Sequence, residues 1–157
     1  MVLNWFEVIK QKRLINQLTT INLMHTITLS SSKKHELIDI TSEVEEIVKK
    51  SKVKEGICFL YVPHATAAVT INENADQNIQ TDILKAINKI VPEHDNYLHD
   101  SIDNNAAAHI KSTLVGVSKT IPISEGKLQL GTWQDIFFCE FDGPRSNRKV
   151  IIEIISK

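Results

Sequence analysis

Six consecutive apolar residues, ICFLYV at 57–62, stand between Gly56 and Pro63. A run of that length suits a strand and falls far short of the roughly 18 apolar residues of a membrane span. Hydrophobicity without alternation predicts a strand buried on both faces, so the chain must place material above and below the sheet that contains it. The other strand-length segments are compatible with such a sheet. Residues 25–30, HTITLS, alternate and read as an edge strand, and residues 35–40 are extended. Residues 67–73 put Ala67, Val69 and Ile71 on one face. Three closing strands are expected at 117–123, 127–141 (bent near Gly131) and 149–155, joined by the turn-forming strings SEG and DGPRSN. Helices fill the gaps. One runs from Thr41 or Ser42 to about Lys50, with Ser42 and Glu45 as a capping box. A second starts at Asn74 or Asp76, carries Ala75, Ile79, Ile83, Ile87 and Ile90 on one stripe, and stops at Pro92. A polar loop at 93–104 leads into a third helix from Asn105 to Val115, with Gly116 as its C-cap. The pattern is α+β: mostly antiparallel sheets of about six or more strands packed with two or three helices.

Composition narrows the function classes. A chain of 157 residues makes one domain with an appendage and is too short for a (β/α)₈ barrel. Its five glycines form neither a dinucleotide fingerprint nor a P-loop. A formal net charge of −1 argues against nucleic acid as a partner. Cys58 and Cys139 lie within apolar runs and read as buried thiols of a reducing compartment, so the expected location is cytoplasmic, without a membrane. Residues 1–23 differ from the rest. Trp5, Phe6, Ile9, Leu14, Ile15 and Leu18 recur loosely at helical spacing among Lys10, Lys12 and Arg13. They read as an N-terminal extension, an amphipathic helix docked on the domain or on a neighbouring subunit, ahead of a domain at 24–157.

Polar residues concentrate in four places. His64 follows the apolar strand, His99 lies in an acidic loop beside Asp100, and His109 stands one helical turn after Asn105. Their spacing matches neither H-E-x-x-H nor a cysteine-based zinc pattern, and on spacing alone caps or satisfied core histidines are the favoured reading. Asn72, Glu73, Asn74 and Asp76 crowd a strand-to-helix junction, as ligand groups or as a helix cap. Trp133 and Gln134 follow a glycine turn, where an indole and an amide can hold a planar ring, although such a tryptophan is more often core. Arg145 and Arg148 occupy a hairpin loop, where forked hydrogen bonds could grip a phosphate, although a solvated turn is the default reading.

PHATAAVTINENAD, the stretch from His99 to His109 and LQLGTWQDIFFCEFDGPR, in that order, resemble the YjbQ-like family, also called the secondary thiamine-phosphate synthase family. The resemblance covers about residues 24–156. It implies a small α+β homotrimer with a pocket at subunit contacts, acting on a small molecule by joining a pyrimidine diphosphate to a thiazole phosphate. It also implies roles: His64, Glu73 and Asn105 in the chemistry; Asn72, Asn74, Asp76, Trp133, Gln134 and Arg145 on substrate; His64, His99 and His109 on zinc or another divalent metal. Magnesium joins them if the chemistry releases pyrophosphate. Arg148 joins the substrate set from the hairpin-loop pattern rather than from the resemblance. Ala65 departs from the threonine usual after the first histidine, while Thr66 keeps a hydroxyl one place later. A metal-dependent hydrolase of a phosphorylated metabolite and a non-catalytic, ligand-binding trimer remain alternatives on the same residues.

Overall fold

The computed structural model describes residues 22–157; the amphipathic extension expected at 1–23 lies almost wholly outside them. The described chain forms eight strands: β1 Asn22–Leu29, β2 Glu36–Asp39, β3 Gly56–Tyr61, β4 Ala67–Glu73, β5 Ser118–Ser124, β6 Lys127–Leu128, β7 Gln134–Glu140 and β8 Arg148–Ser156. Its α-helices are α1 Thr41–Ser51, α2 Gln77–Ile90 and α3 Ala106–Val115, with a short 3₁₀ turn at Leu98–Ser101 inside the polar loop. The strands make a five-stranded sheet in the order β1-β8-β3-β5-β6 and a three-stranded sheet in the order β2-β7-β4. Every strand pair is antiparallel. The α+β expectation holds.

The two sheets face each other. Cys58, Leu60 and Val62 of the β3 segment, Ile121 and Ile123 of β5, and Val150, Ile152 and Ile154 of β8 meet Val69 of β4 and Ile136 and Phe138 of β7. Val44 and Val48 of α1 pack into the same core. On the other side of the three-stranded sheet, Leu37, Ala68, Phe137, Cys139 and Phe141 pack against Ala108 of α3 and against Ile83, Leu84 and Ile87 of α2. The order of layers is therefore five-stranded sheet, three-stranded sheet, helices. Both cysteines are free and buried in different cores, and burial pushes each thiol up to about 12.

Three sequence expectations are corrected. The run at 57–62 is not buried on both faces: Cys58 and Leu60 are sealed, but Ile57 and Tyr61 are 37% and 39% exposed on the outer face. Among the described residues, no layer covers that side of the five-stranded sheet. The bent strand at 127–141 is two strands in different sheets. Between them the chain crosses over, with Gly131 N–H donating to Gln134 Oε1 at 2.8 Å and Gln134 N–H to Gly131 O at 2.9 Å. The capping box of α1 does not form. Thr41 is already helical, and Asp39 Oδ1 accepts from its N–H at 2.9 Å and its hydroxyl at 2.6 Å. Other signals hold. Asp76 caps α2 by accepting from Asn78 N–H at 2.9 Å. Gly116 ends α3 at φ +92°, a backbone region that side chains disfavour.

Candidate functional site

The residues singled out from the sequence divide between the two ends of the three-stranded sheet. β4 runs from Ala67 to Glu73, about 20 Å at 3.4 Å per residue. His64, Arg145 and Arg148 gather toward the Ala67 end, which pairs with Glu140 and is joined by α3 through a Ser112 Oγ bond to Ala67 O at 2.6 Å. Asn72, Glu73, Asn74, Asp76, Trp133 and Gln134 gather toward the other end, where Glu73 pairs with Gln134.

The Ala67 end is built around a buried carboxylate. Glu140 is sealed in the last turn of β7 and takes two bonds from Arg148, Nε at 2.7 Å and a terminal nitrogen at 2.6 Å. Ser31 Oγ donates to it at 3.0 Å, and the N–H groups of Phe141 and Asp142 at 3.1 and 3.0 Å. Arg148 also donates to Thr66 Oγ1 at 3.0 Å, so the hydroxyl displaced by one position from the family pattern holds this arginine. Three donor contacts, to Glu140 and Thr66, and a buried side chain make Arg148 a structural residue rather than an exposed phosphate clamp.

From Glu140 the network reaches the surface. Asp142 Oδ2 accepts from a terminal nitrogen of Arg145 at 2.6 Å and from Asn105 Nδ2 at 3.2 Å. Arg145 Nε donates to Asp142 O at 2.9 Å, and its N–H to Ser31 Oγ at 2.9 Å. The hydrogen bond and charge of Asp142 push the Arg145 guanidinium up, so it stays charged while remaining exposed. Gly143 leaves no space for a side chain against Lys33 O, which presses the turn that carries Arg145 onto the segment after β1.

Beside this network lies a histidine pair. The rings of His99 and His109 meet edge to face with centroids 5.0 Å apart. His99 Nε2 and Asn105 Oδ1 are buried and have no hydrogen-bond partner among the described residues. A buried polar atom left unpaired costs about 1–3 kcal/mol, so these two atoms mark a place for a group that completes them. An open cavity of about 440 Å³, lined by Tyr97, Leu98, His99, Ala106, His109 and Ile110, adjoins the pair. Asp100 Oδ1 secures the start of α3 by accepting from Ala106 N–H at 2.9 Å.

His64 is placed differently. Its Nε2 accepts the Lys149 N–H at 2.8 Å, and burial together with the Arg148 charge lowers its pKa, so the ring is neutral with one nitrogen in use. Among the described residues no group of three or more His, Cys, Asp or Glu is placed to hold a metal ion. The structure brings together His99 and His109 and leaves His64 committed elsewhere. The donor set fits a metal only as a pair of imidazoles that needs further ligands from outside this chain.

At the opposite end, Asn74 is structural. Its Nδ2 donates to Asp39 Oδ2 at 2.9 Å and Asp135 Oδ2 at 2.7 Å, and its Oδ1 accepts from Gln80 Nε2 at 2.6 Å. Asn72 Oδ1 accepts the Glu73 N–H, and Gln134 is tied to Gly131. Trp133 is 64% exposed and forms no part of a core.

Sequence reasoning passed over a second buried cluster. Lys111 of α3 is fully buried and donates to Glu93 Oε1 at 2.7 Å; Lys34 meets Glu93 Oε2 at 2.9 Å. Burial pushes the Glu93 carboxyl up, but the hydrogen bonds of Lys111 and Lys34 outweigh it and hold the group at about 2. His35 completes the cluster with Nε2 at 3.1 Å from Glu93 Oε1 and 3.3 Å from Lys111 Nζ, and burial and Lys111 lower its pKa. The cluster ties the root of the 93–104 loop to α3 and to the segment entering β2. The only sequence signal for it was a lysine on the face of α3 shared with small apolar residues.

The model of the family described as UPF0047 protein YjbQ-like matches residues 25–157. UPF0047 protein MJ1081 of Methanocaldococcus jannaschii is 47% identical over 135 residues, 86% of this chain and 96% of that one. UPF0047 protein YugU of Bacillus subtilis is 43% identical over 125 residues, 79% of this chain and 93% of its own length. A crystal structure from Sulfolobus solfataricus, described as a YbjQ-like protein of unknown function, superposes with a TM-score of 0.84 at 42% identity and covers 87% of this chain and 98% of that one. A YjbQ/UPF0047 family protein from Clostridium acetobutylicum gives a TM-score of 0.80 at 46% identity, covering 83% and 99% of the two chains.

Proposed function

The chain belongs to the UPF0047 YjbQ-like family, and on that premise we propose that it is a small-molecule transferase whose two clusters of polar residues form one site across the contact between copies of a homotrimer. The substrates are a pyrimidine diphosphate and a thiazole phosphate, joined with loss of pyrophosphate. The observation that carries the reading is the unpaired, buried His99 Nε2 and Asn105 Oδ1 beside the charged, exposed Arg145. These are two atoms that need a partner and one fixed cation suited to a phosphate oxygen.

Arg145, steadied by Asp142, offers its exposed edge to a phosphate group. The His99–His109 pair presents two imidazoles to the diphosphate end, and Asn105 Oδ1, an acceptor, suits a substrate N–H or a bound cation rather than a phosphate oxygen. Zinc or another divalent ion bound by that pair, or magnesium carried in on the diphosphate, would offset charge on the departing pyrophosphate. Trp133, exposed at the far end of the sheet, supplies a flat apolar surface for the pyrimidine, with Asn72 and Glu73 of the same copy beside it. β4, which separates the two groups, is about 20 Å long, so in this reading the end of one copy meets the opposite end of the next. Leu98, 93% exposed, and the exposed Ile102, Ile110 and Leu114 offer the apolar surface for that contact.

Incubating the full chain with both precursors and magnesium, and assaying thiamine phosphate, tests the proposal. Product above that of a His109→Ala control supports it; equal, background-level product from both proteins refutes it. A non-catalytic anion-binding trimer is the second reading, favoured by the engagement of His64 Nε2 with a backbone N–H. It predicts precursor binding by calorimetry with no turnover.

A further inference from the structure

The loop at 93–104 leaves the end of α2 and returns to α3, and its backbone is not relaxed. His94 and Asn96 hold φ at +58° and +56°, in the left-handed region that residues with a side chain disfavour. Asn104, at the far end, holds +53°. Backbone in that region persists only where the surroundings fix it. Among the described residues two polar ties join this loop to α3. Asp100 Oδ1 accepts from Ala106 N–H at 2.9 Å, and Glu93 Oε1 accepts from Lys111 Nζ at 2.7 Å. The second tie is the unusual one. Lys111 is fully buried, and an ammonium buried beside a carboxylate gains little over an apolar side chain of similar volume. Stability alone does not account for it.

We propose that Glu93 and Lys111 are positioning residues, whose ion pair holds the turn at 94–96 and through it the edge-to-face contact of His99 with His109. That ring contact spans the same two elements that the ion pair joins. His99 lies six residues after Glu93, and His109 two residues before Lys111. Two positions along α3 turn the helix by about 200°. Lys111 is accordingly sealed in the interior, while His109 lines the open cavity. The lysine therefore acts on the rings through the loop and not by touching them. Glu93 is braced from a second direction by the chain entering β2, with Lys34 Nζ 2.9 Å from Oε2 and His35 Nε2 3.1 Å from Oε1. An anchor held from both sides leaves the turn from His94 to Leu98 one short path to His99. The Asp100 tie fixes the chain just beyond that ring. The consequence for ligand rests on the transferase reading: rings displaced from one another meet a diphosphate less well.

Proton NMR of the full chain, without ligand, measures the ring contact directly. In Lys111→Met and in Glu93→Gln the cross-peak between the His99 and His109 rings should fall several-fold while the resonances of the sheets persist. Lys34→Met removes the exposed brace, leaves the Lys111 tie and should keep the cross-peak. Pyrophosphate, titrated by calorimetry, should bind Lys111→Met and Glu93→Gln about tenfold more weakly than wild type. A cross-peak of wild-type strength in folded Lys111→Met or Glu93→Gln overturns the proposal however far the melting temperature drops, because a merely structural pair changes only stability. If Lys111→Met does not fold, the milder Glu93→Gln, which keeps an oxygen for Lys111, decides the matter. A cross-peak absent from wild type, or lost equally in Lys34→Met, also overturns it. Wild type that shows the ring contact and binds no pyrophosphate counts against the transferase reading alone, and the cross-peaks still judge the positioning role.

Discussion

Replacing Arg148 by methionine should damage the fold, whereas an exposed phosphate-binding arginine would be lost without penalty to stability. The reason is the fate of Glu140. Arg148 supplies two of the five hydrogen bonds that Glu140 accepts, and the carboxylate is fully buried. Methionine fills much of the arginine's volume but leaves the charge paired only with Ser31 Oγ and two backbone N–H groups. Removing one member of a buried ion pair costs about 3–5 kcal/mol, against about 0–1 kcal/mol for a surface pair. For a domain of this size the larger figure lowers the melting temperature by on the order of 10 °C. Removing the charge as well, in Glu140→Gln with Arg148→Met, should restore most of the loss, because the desolvation penalty leaves with the carboxylate. Urea unfolding of wild type, both single variants and the double variant, at one protein concentration, measures the cycle. A loss below about 1 kcal/mol for Arg148→Met, with an unchanged denaturant slope, would refute the assignment of Arg148 as a structural residue.

Other consequences can be checked directly. Glu93 is held at about 2 against an ordinary value of 4.5, so the stability it contributes is full above pH 4.5 and fades as pH falls toward 2; Glu93→Gln should lower stability at pH 7 and flatten that acid limb in pH-dependent unfolding. The pKa of His64 is lowered, so its contribution is full above 6.5 and declines as pH falls below that value. NMR titration should find its ring protonating later in an acid titration than an ordinary histidine, and a value at or above 6.5 contradicts the burial argument. Arg145→Ala should weaken phosphate-ligand binding by about tenfold or more, the worth of a charge-assisted bond of about 1.5–3 kcal/mol, and leave urea stability within about 1 kcal/mol because its ion pair is exposed. Leu98→Glu together with Ile102→Glu should dissociate the proposed trimer in sedimentation while leaving the fold intact.

The sequence was most legible where one local force decides the outcome. Asp76 caps α2 as its chemistry demands, Gly116 ends α3, and the alternation of residues 25–30 marks an edge strand. It was less legible where partners come from far along the chain. The run at 57–62 reads as doubly buried because apolar residues alone do not say what covers them. Ser42 and Glu45 match a capping box, yet Asp39, two residues before the helix, reaches Thr41 first. A similar limit applies to the site. Fourteen residues of PHATAAVTINENAD look like one cluster on paper, but an intervening strand carries His64 and Glu73 to opposite ends of a sheet. Lys111, Glu140 and Arg148 were invisible as interior groups, since charged side chains are almost never buried without a partner and their partners lie from 8 to 109 positions away in sequence.

The place of β8 has a consequence for biosynthesis. Residues 148–156 follow all other strands of the described chain, yet they lie between β1 and β3, and among the described residues β1 has no other neighbour in its sheet. Until β8 emerges, the nascent chain carries β1 with both edges bare and β3 with one, which invites pairing with the wrong chain. Closure of the sheet must join the earliest strand to the latest, and long-range pairing of that kind is slow. This protein is thus exposed to aggregation chiefly during synthesis, and chaperone demand should fall sharply once β8 is in place.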